Sequence, residues 1–144
     1  MKHKLALAIG LAASLFAATA AARADELEGS FVREHAEEML EGALTAEQAD
    51  SLQLIAYQVA AAAACDGVDL DPAKFEAAFA TLTPIGADKM TDPQKAYFDK
   101  HLLVVYGVMV GGALAIFSDD TAAKCDIARA AKADPAMTKT LVWK

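Results

Sequence analysis

Sixteen consecutive residues, Leu102 to Phe117, carry no charge and only the Tyr106 hydroxyl as a polar group, and this run limits what the chain can become. Coiled as a helix it has no polar side, so other elements or lipid must cover it all round. The length favours other elements. Crossing hydrocarbon takes roughly 18 to 20 apolar residues, and Asp99, Lys100 and His101 stand directly before the run. The expectation is a central helix shielded by amphipathic neighbours, with no stable membrane insertion of the mature chain. Gly107, Gly111 and Gly112 add a GxxxG step, which predicts backbone-to-backbone packing against another helix, the alanine-rich one that ends at Ala64 being the candidate.

The neighbours are legible from spacing. Between Leu27 and Leu44, Phe31, Val32, His35, Met39 and Leu40 recur at three- and four-residue steps among acidic residues, an amphipathic pattern closed by Gly42. Thr45 and Gln48 form a capping box, and Leu52, Ile55, Ala56 and Val59 carry a stripe into Ala60 to Ala64, ending near Gly67. Asp71-Pro72 opens a short helix whose Phe75, Ala78, Phe79 and Leu82 share a face, stopped by Thr83-Pro84. After a loop at 85–90, Thr91-Asp92-Pro93-Gln94 opens the longest helix, Pro93 to Phe117. A last helix starts at Asp119 or Asp120 and ends by Pro135, leaving the tail 136–144 unassigned. No stretch alternates long enough for a strand. The fold class is therefore all-α, a single compact bundle of about five helices.

The ends of the chain bear on its compartment. Lys2, His3 and Lys4, an apolar run from Leu5 to Ala22, and Ala22-Arg23-Ala24 make the three-part layout of a secretory signal peptide, with cleavage expected before Asp25. That predicts residues 25–144 as one mature domain in the periplasm or outside the cell. Cys65 and Cys125 are then an even pair in an oxidising compartment and are expected to form a disulfide between the second and fifth helices. Their spacing is wrong for a C-x-x-C redox motif. The formal charge, −7 for the whole chain, becomes −10 once Lys2, Lys4 and Arg23 leave. Such a surface repels phosphate backbones, so nucleic acid is excluded as a partner.

Sites for chemistry are sparse. His35, Glu34 and Glu38 share a helical neighbourhood, and a haem could be imagined between His35 or His101 and Met39 or Met109, but H-E-x-x-H, C-x-x-C-H and Cys/His clusters are all absent. Asp66, Asp69 and Asp71 fall within six residues yet lack the alternation of a calcium loop. Ser30, Ser51 and Ser118 lie in no nucleophile elbow. No catalytic, cofactor or metal residue is therefore assigned, and no enzyme activity is expected. The reading is an exported binding or interaction protein for a protein partner or a small apolar ligand, with a membrane-associated subunit using the Gly107/Gly111 helix as the lesser alternative. For a ligand, the expected cavity lies between the alanine-rich helix and Phe75, Phe79, Tyr97, Phe98 and Tyr106. In size, acidity and its single disulfide the chain resembles acid-activated periplasmic chaperones, which implies that protonating carboxylates near about pH 4 loosens the fold.

Overall fold

The computed structural model describes residues 32, 34–36 and 38–144; the expected leader at 1–24 and the start of the first helix lie outside them. Five helices are present among the described residues. Helix α1 is helical at 32, 34–36 and 38–39, followed by α2 (Ala46–Ala64), α3 (Pro72–Phe79), α4 (Asp92–Asp119) and α5 (Thr121–Ala133).

Local chemistry sets these boundaries. Glu41 and Gly42 both take positive φ, 51° and 71°, so α1 ends just before them, close to the Gly42 stop that the sequence marks. Thr45 and Gln48 exchange backbone-to-side-chain hydrogen bonds of 3.0 and 3.2 Å at the start of α2. Asp71 Oδ1 accepts from Ala73 N and Lys74 N at the start of α3. Helix α3 stops at Phe79, short of Leu82, because the chain tightens there. Thr81 N and Leu82 N donate to the carbonyls three residues back, the Thr81 hydroxyl caps the Ala78 carbonyl, and Pro84 disfavours helical Thr83. The expected loop at 85–90 contains a 3₁₀ turn, Ala87–Lys89. Asp120 Oδ1 accepts from Ala123 N to open α5, which ends before Pro135.

Helix α4 is central, with α2 laid along it and α1, α3 and α5 grouped around the pair. The core has two parts. Toward the start of α4, Ala36 of α1 and Leu40 just after it, Leu52 and Ile55 of α2, and Phe98, Leu102, Val105 and Met109 of α4 pack together. Toward its end, Ala60, Ala61, Val68, Phe117 and Ala128 surround the Cys65–Cys125 disulfide, which joins the end of α2 to α5 across a Cα separation of 5.4 Å.

The shielding of α4 is incomplete, contrary to the expectation for a helix with no polar side. Leu103 and Val104 are each 57% exposed, and Gly107, Val108, Gly111, Leu114 and Ala115 lie open beside them. Only 22% of its most apolar window is buried, and by length and composition this helix could cross a membrane. The glycine expectation is corrected as well. A Cβ on Gly112 would meet Val32 Cγ1 of α1 at 2.5 Å, but a Cβ on Gly107 or Gly111 would meet nothing within 4 Å among the described residues. Among those residues, close packing therefore exists at Gly112 alone of the three, and against α1 in place of the alanine-rich α2.

Candidate functional site

Among the described residues, a recess lies at the start of α4, between that helix, the α1–α2 turn and the loop after Pro84. It is a groove of about 420 Å³. Leu40, Ala43, Pro84, Met90 and Phe98 make its floor and sides, and Ile85, Tyr97, His101 and Glu41 stand at the rim. Its walls are pinned by hydrogen bonds. Ile85 N donates to the Ala43 carbonyl at 2.8 Å, and Gln48 Nε2 donates to the Thr81 and Thr83 carbonyls at 3.1 and 2.9 Å. Gln94 Oε1 accepts from Thr91 N at 2.8 Å and so holds the first turn of α4. A groove framed by such short-range ties is preformed.

One wall is aromatic. Tyr97 and His101, one turn apart, stack with ring centroids 5.6 Å apart and planes 11° from parallel. His101 Nε2 lies in hydrogen-bond contact with the Met39 carbonyl, which fixes the ring and ties α4 to α1. Tyr97 is 66% exposed and Ile85 60%, so the groove's edge presents apolar surface to solvent. Glu41, set at the rim by its left-handed backbone, is the one carboxylate among the described residues that line the groove.

The cavity is displaced from where the sequence located it. Phe75, Phe79 and Tyr106 pack on one another, at centroid separations of 5.3 to 6.0 Å, and a second recess of about 310 Å³ opens on the other side of Phe79, toward Leu82, Asp99 and Leu103. Of the five aromatic residues expected around a pocket, Tyr97 and Phe98 line the groove.

The other candidate residues stay apart. His35 is an exposed partner of Glu38 at 3.4 Å on α1, and the His101 ring nitrogen that a haem iron would take is directed at a carbonyl. Met109 is buried in the core. Among the described residues, no three His, Cys, Asp or Glu side chains come together in a way that could hold a metal ion. In the Asp66 to Asp71 turn, Arg129 and Lys132 donate to the Asp66 and Gly67 carbonyls at 3.4 and 2.8 Å, while Asp71 caps α3. That turn is a structural junction.

Compared with known proteins, the chain matches no family model, no curated protein and no solved structure.

Sequence reasoning missed Gln58. Its buried side chain receives Val142 N on Oε1 at 2.6 Å and donates from Nε2 to the Thr140 carbonyl at 3.0 Å; Trp143 Nε1 donates to the Gln58 carbonyl at 2.8 Å. Asp71 N and Lys74 Nζ add bonds of 2.8 and 2.7 Å to the Val142 and Trp143 carbonyls. The tail left unassigned is thus bound at the far end of the molecule from the groove. One signal was available, since Gln58 is the only amide between Leu54 and Ala64.

Proposed function

We propose that the chain is an exported binding protein that receives an apolar group of a protein partner in the groove at the start of α4, and that it acts by association without catalysis. The observation that carries this reading is the preformed groove of about 420 Å³ with apolar floor and exposed apolar rim. Ile85 and Tyr97 would stay in water around a small buried ligand, whereas a partner's surface would cover them, which is the usual arrangement of an anchor residue in a pocket with a surrounding rim. Glu41 favours a partner whose anchoring side chain lies beside a basic residue. Export is supported by the tripartite N-terminal sequence, and the disulfide suits an oxidising compartment.

A second reading, a small-ligand carrier, draws on the groove's volume, which falls in the range of about 300 to 1,000 Å³ typical of small-molecule pockets. Native mass spectrometry of protein taken from the exported fraction separates the two. A start at Asp25 with no added mass favours a protein partner; a reproducible small adduct lost on Tyr97→Ala favours the carrier. A neutral apolar fluorophore that binds the wild type and its Tyr97→Ala and Ile85→Asp variants equally would abandon both.

A further inference from the structure

We infer that the open face of α4 is a self-association surface that seats the same face of a second copy, antiparallel, across Gly107 and Gly111. Among the described residues nothing requires either glycine, because a Cβ at either position meets none of their atoms within 4 Å. Gly112 on the same helix is accounted for by Val32. Glycine inside an exposed helix is destabilising relative to alanine, and what it gives in return is close approach by another backbone. On both sides of the glycines stand large exposed apolar residues, Leu103, Val104, Val108 and Leu114. Together these form one apolar stripe of the kind that marks an interaction surface.

Charge selects the occupant and its direction. Between Lys100 and Asp119 the helix carries no Asp, Glu, Lys or Arg, so two strongly acidic chains can meet there without setting like charges against each other. An antiparallel crossing centred between the glycines places Lys100 of each copy against Ser118 of the other, within a side chain's reach of Asp119. It also lays the start of each helix beside the end of the other, which suits the helix dipoles. A parallel crossing would put Lys100 against Lys100 and Asp119 against Asp119. The stripe is thus complementary to itself in one direction only, as a two-fold dimer requires.

Sedimentation equilibrium of the processed, disulfide-bonded protein tests this. The expected result is a mass that rises with concentration from one chain to two. Gly107→Leu with Gly111→Leu should weaken the dimer by roughly tenfold or more and leave the melting temperature at low concentration undiminished. Lys100→Asp should weaken it too, and Lys100→Asp with Asp119→Lys should restore it. A single-chain mass at every concentration overturns the inference, as does a dimer indifferent to the leucines. A lowered melting temperature in the dilute leucine variant would mean that the chain's own residues cover the face. Flotation with phosphatidylcholine vesicles of a chain that stays monomeric without them would make the face a lipid contact. Either result overturns it.

Discussion

Around Cys65 the bundle closes on itself through a covalent bond, a buried amide and a docked tail, whereas around Tyr97 it is closed by side-chain packing and a few backbone ties and stays open to solvent. At the first end Phe117, Val68 and Trp143 are almost wholly buried. At the second, Ile85 and Tyr97 stand out in water, and the exposed stripe of α4 begins there. An end with its polar groups satisfied by its own chain has little left to offer a partner. An end with unburied apolar surface has an incomplete core that a partner can finish. The contrast shows how a small domain can concentrate its cross-links on one side and keep the other available for binding.

The strongest way to break this contrast is to cut the disulfide. Replacing Cys65 and Cys125 by serine reopens a loop whose ends lie 60 positions apart, at a cost of about 4 kcal/mol in the chain-entropy account. Urea denaturation should show a loss on that order, and a change below about 1 kcal/mol would mean that packing alone holds the locked end. Gln58→Leu comes next. It strands Val142 N and the Thr140 carbonyl, with an expected cost of about 2 to 3 kcal/mol. Trp143, buried in the wild type, should then shift its fluorescence to the red as the tail comes away. Unchanged emission would place the tail's anchorage in Lys74 and Asp71 instead.

The locked end was only partly legible in the sequence. The two cysteines could be paired from their number and the expected compartment, and each of α2 to α5 begins at a Thr or Asp standing at its N-cap. The tail's partner was invisible because Gln58 and Val142 are 84 positions apart, and an irregular segment has no periodicity to read. At the open end the aromatic residues were identified, but not which of them fill space and which border it. Phe75 and Phe79 of α3 meet Tyr106 of α4 ring to ring, a fact of packing that spacing does not encode. The open stripe was misjudged for a related reason. Apolarity on all sides predicts that a helix has to be covered, and it does not say whether its own chain does the covering.

Smaller effects sharpen the contrast along α4 itself. At concentrations where single chains prevail, Gly107→Ala and Gly111→Ala should each raise stability by about 0.5 to 1 kcal/mol, because the added methyl meets open space and glycine is the poorer helix former. Gly112→Ala should lower it by about 1 kcal/mol, since a stiff β-branched Val32 must move. Thermal melts of the three variants check the pattern. Three variants moving the same way would mean that α1 does not hold Val32 against α4.

The smallest predicted effect compares the two ends through one tyrosine each. Tyr57 packs on Phe117 at the locked end and Tyr106 lies between Phe75 and Phe79 toward the open one; partial burial raises both phenols above the ordinary value of 10.0. The sign follows from linkage. Above about pH 10 the unfolded chain releases these protons before the folded one does, so the stability they contribute is complete below that pH and declines as pH rises toward the folded values. Tyr57→Phe and Tyr106→Phe should each flatten part of that alkaline decline. In the Cys65→Ser/Cys125→Ser variant, a spectrophotometric titration should return Tyr57 toward its ordinary value while Tyr106 stays raised, if order at the locked end depends on the bond and order at the open end does not. A joint return of both would show that the two halves of the core, contiguous along α4, loosen as one unit.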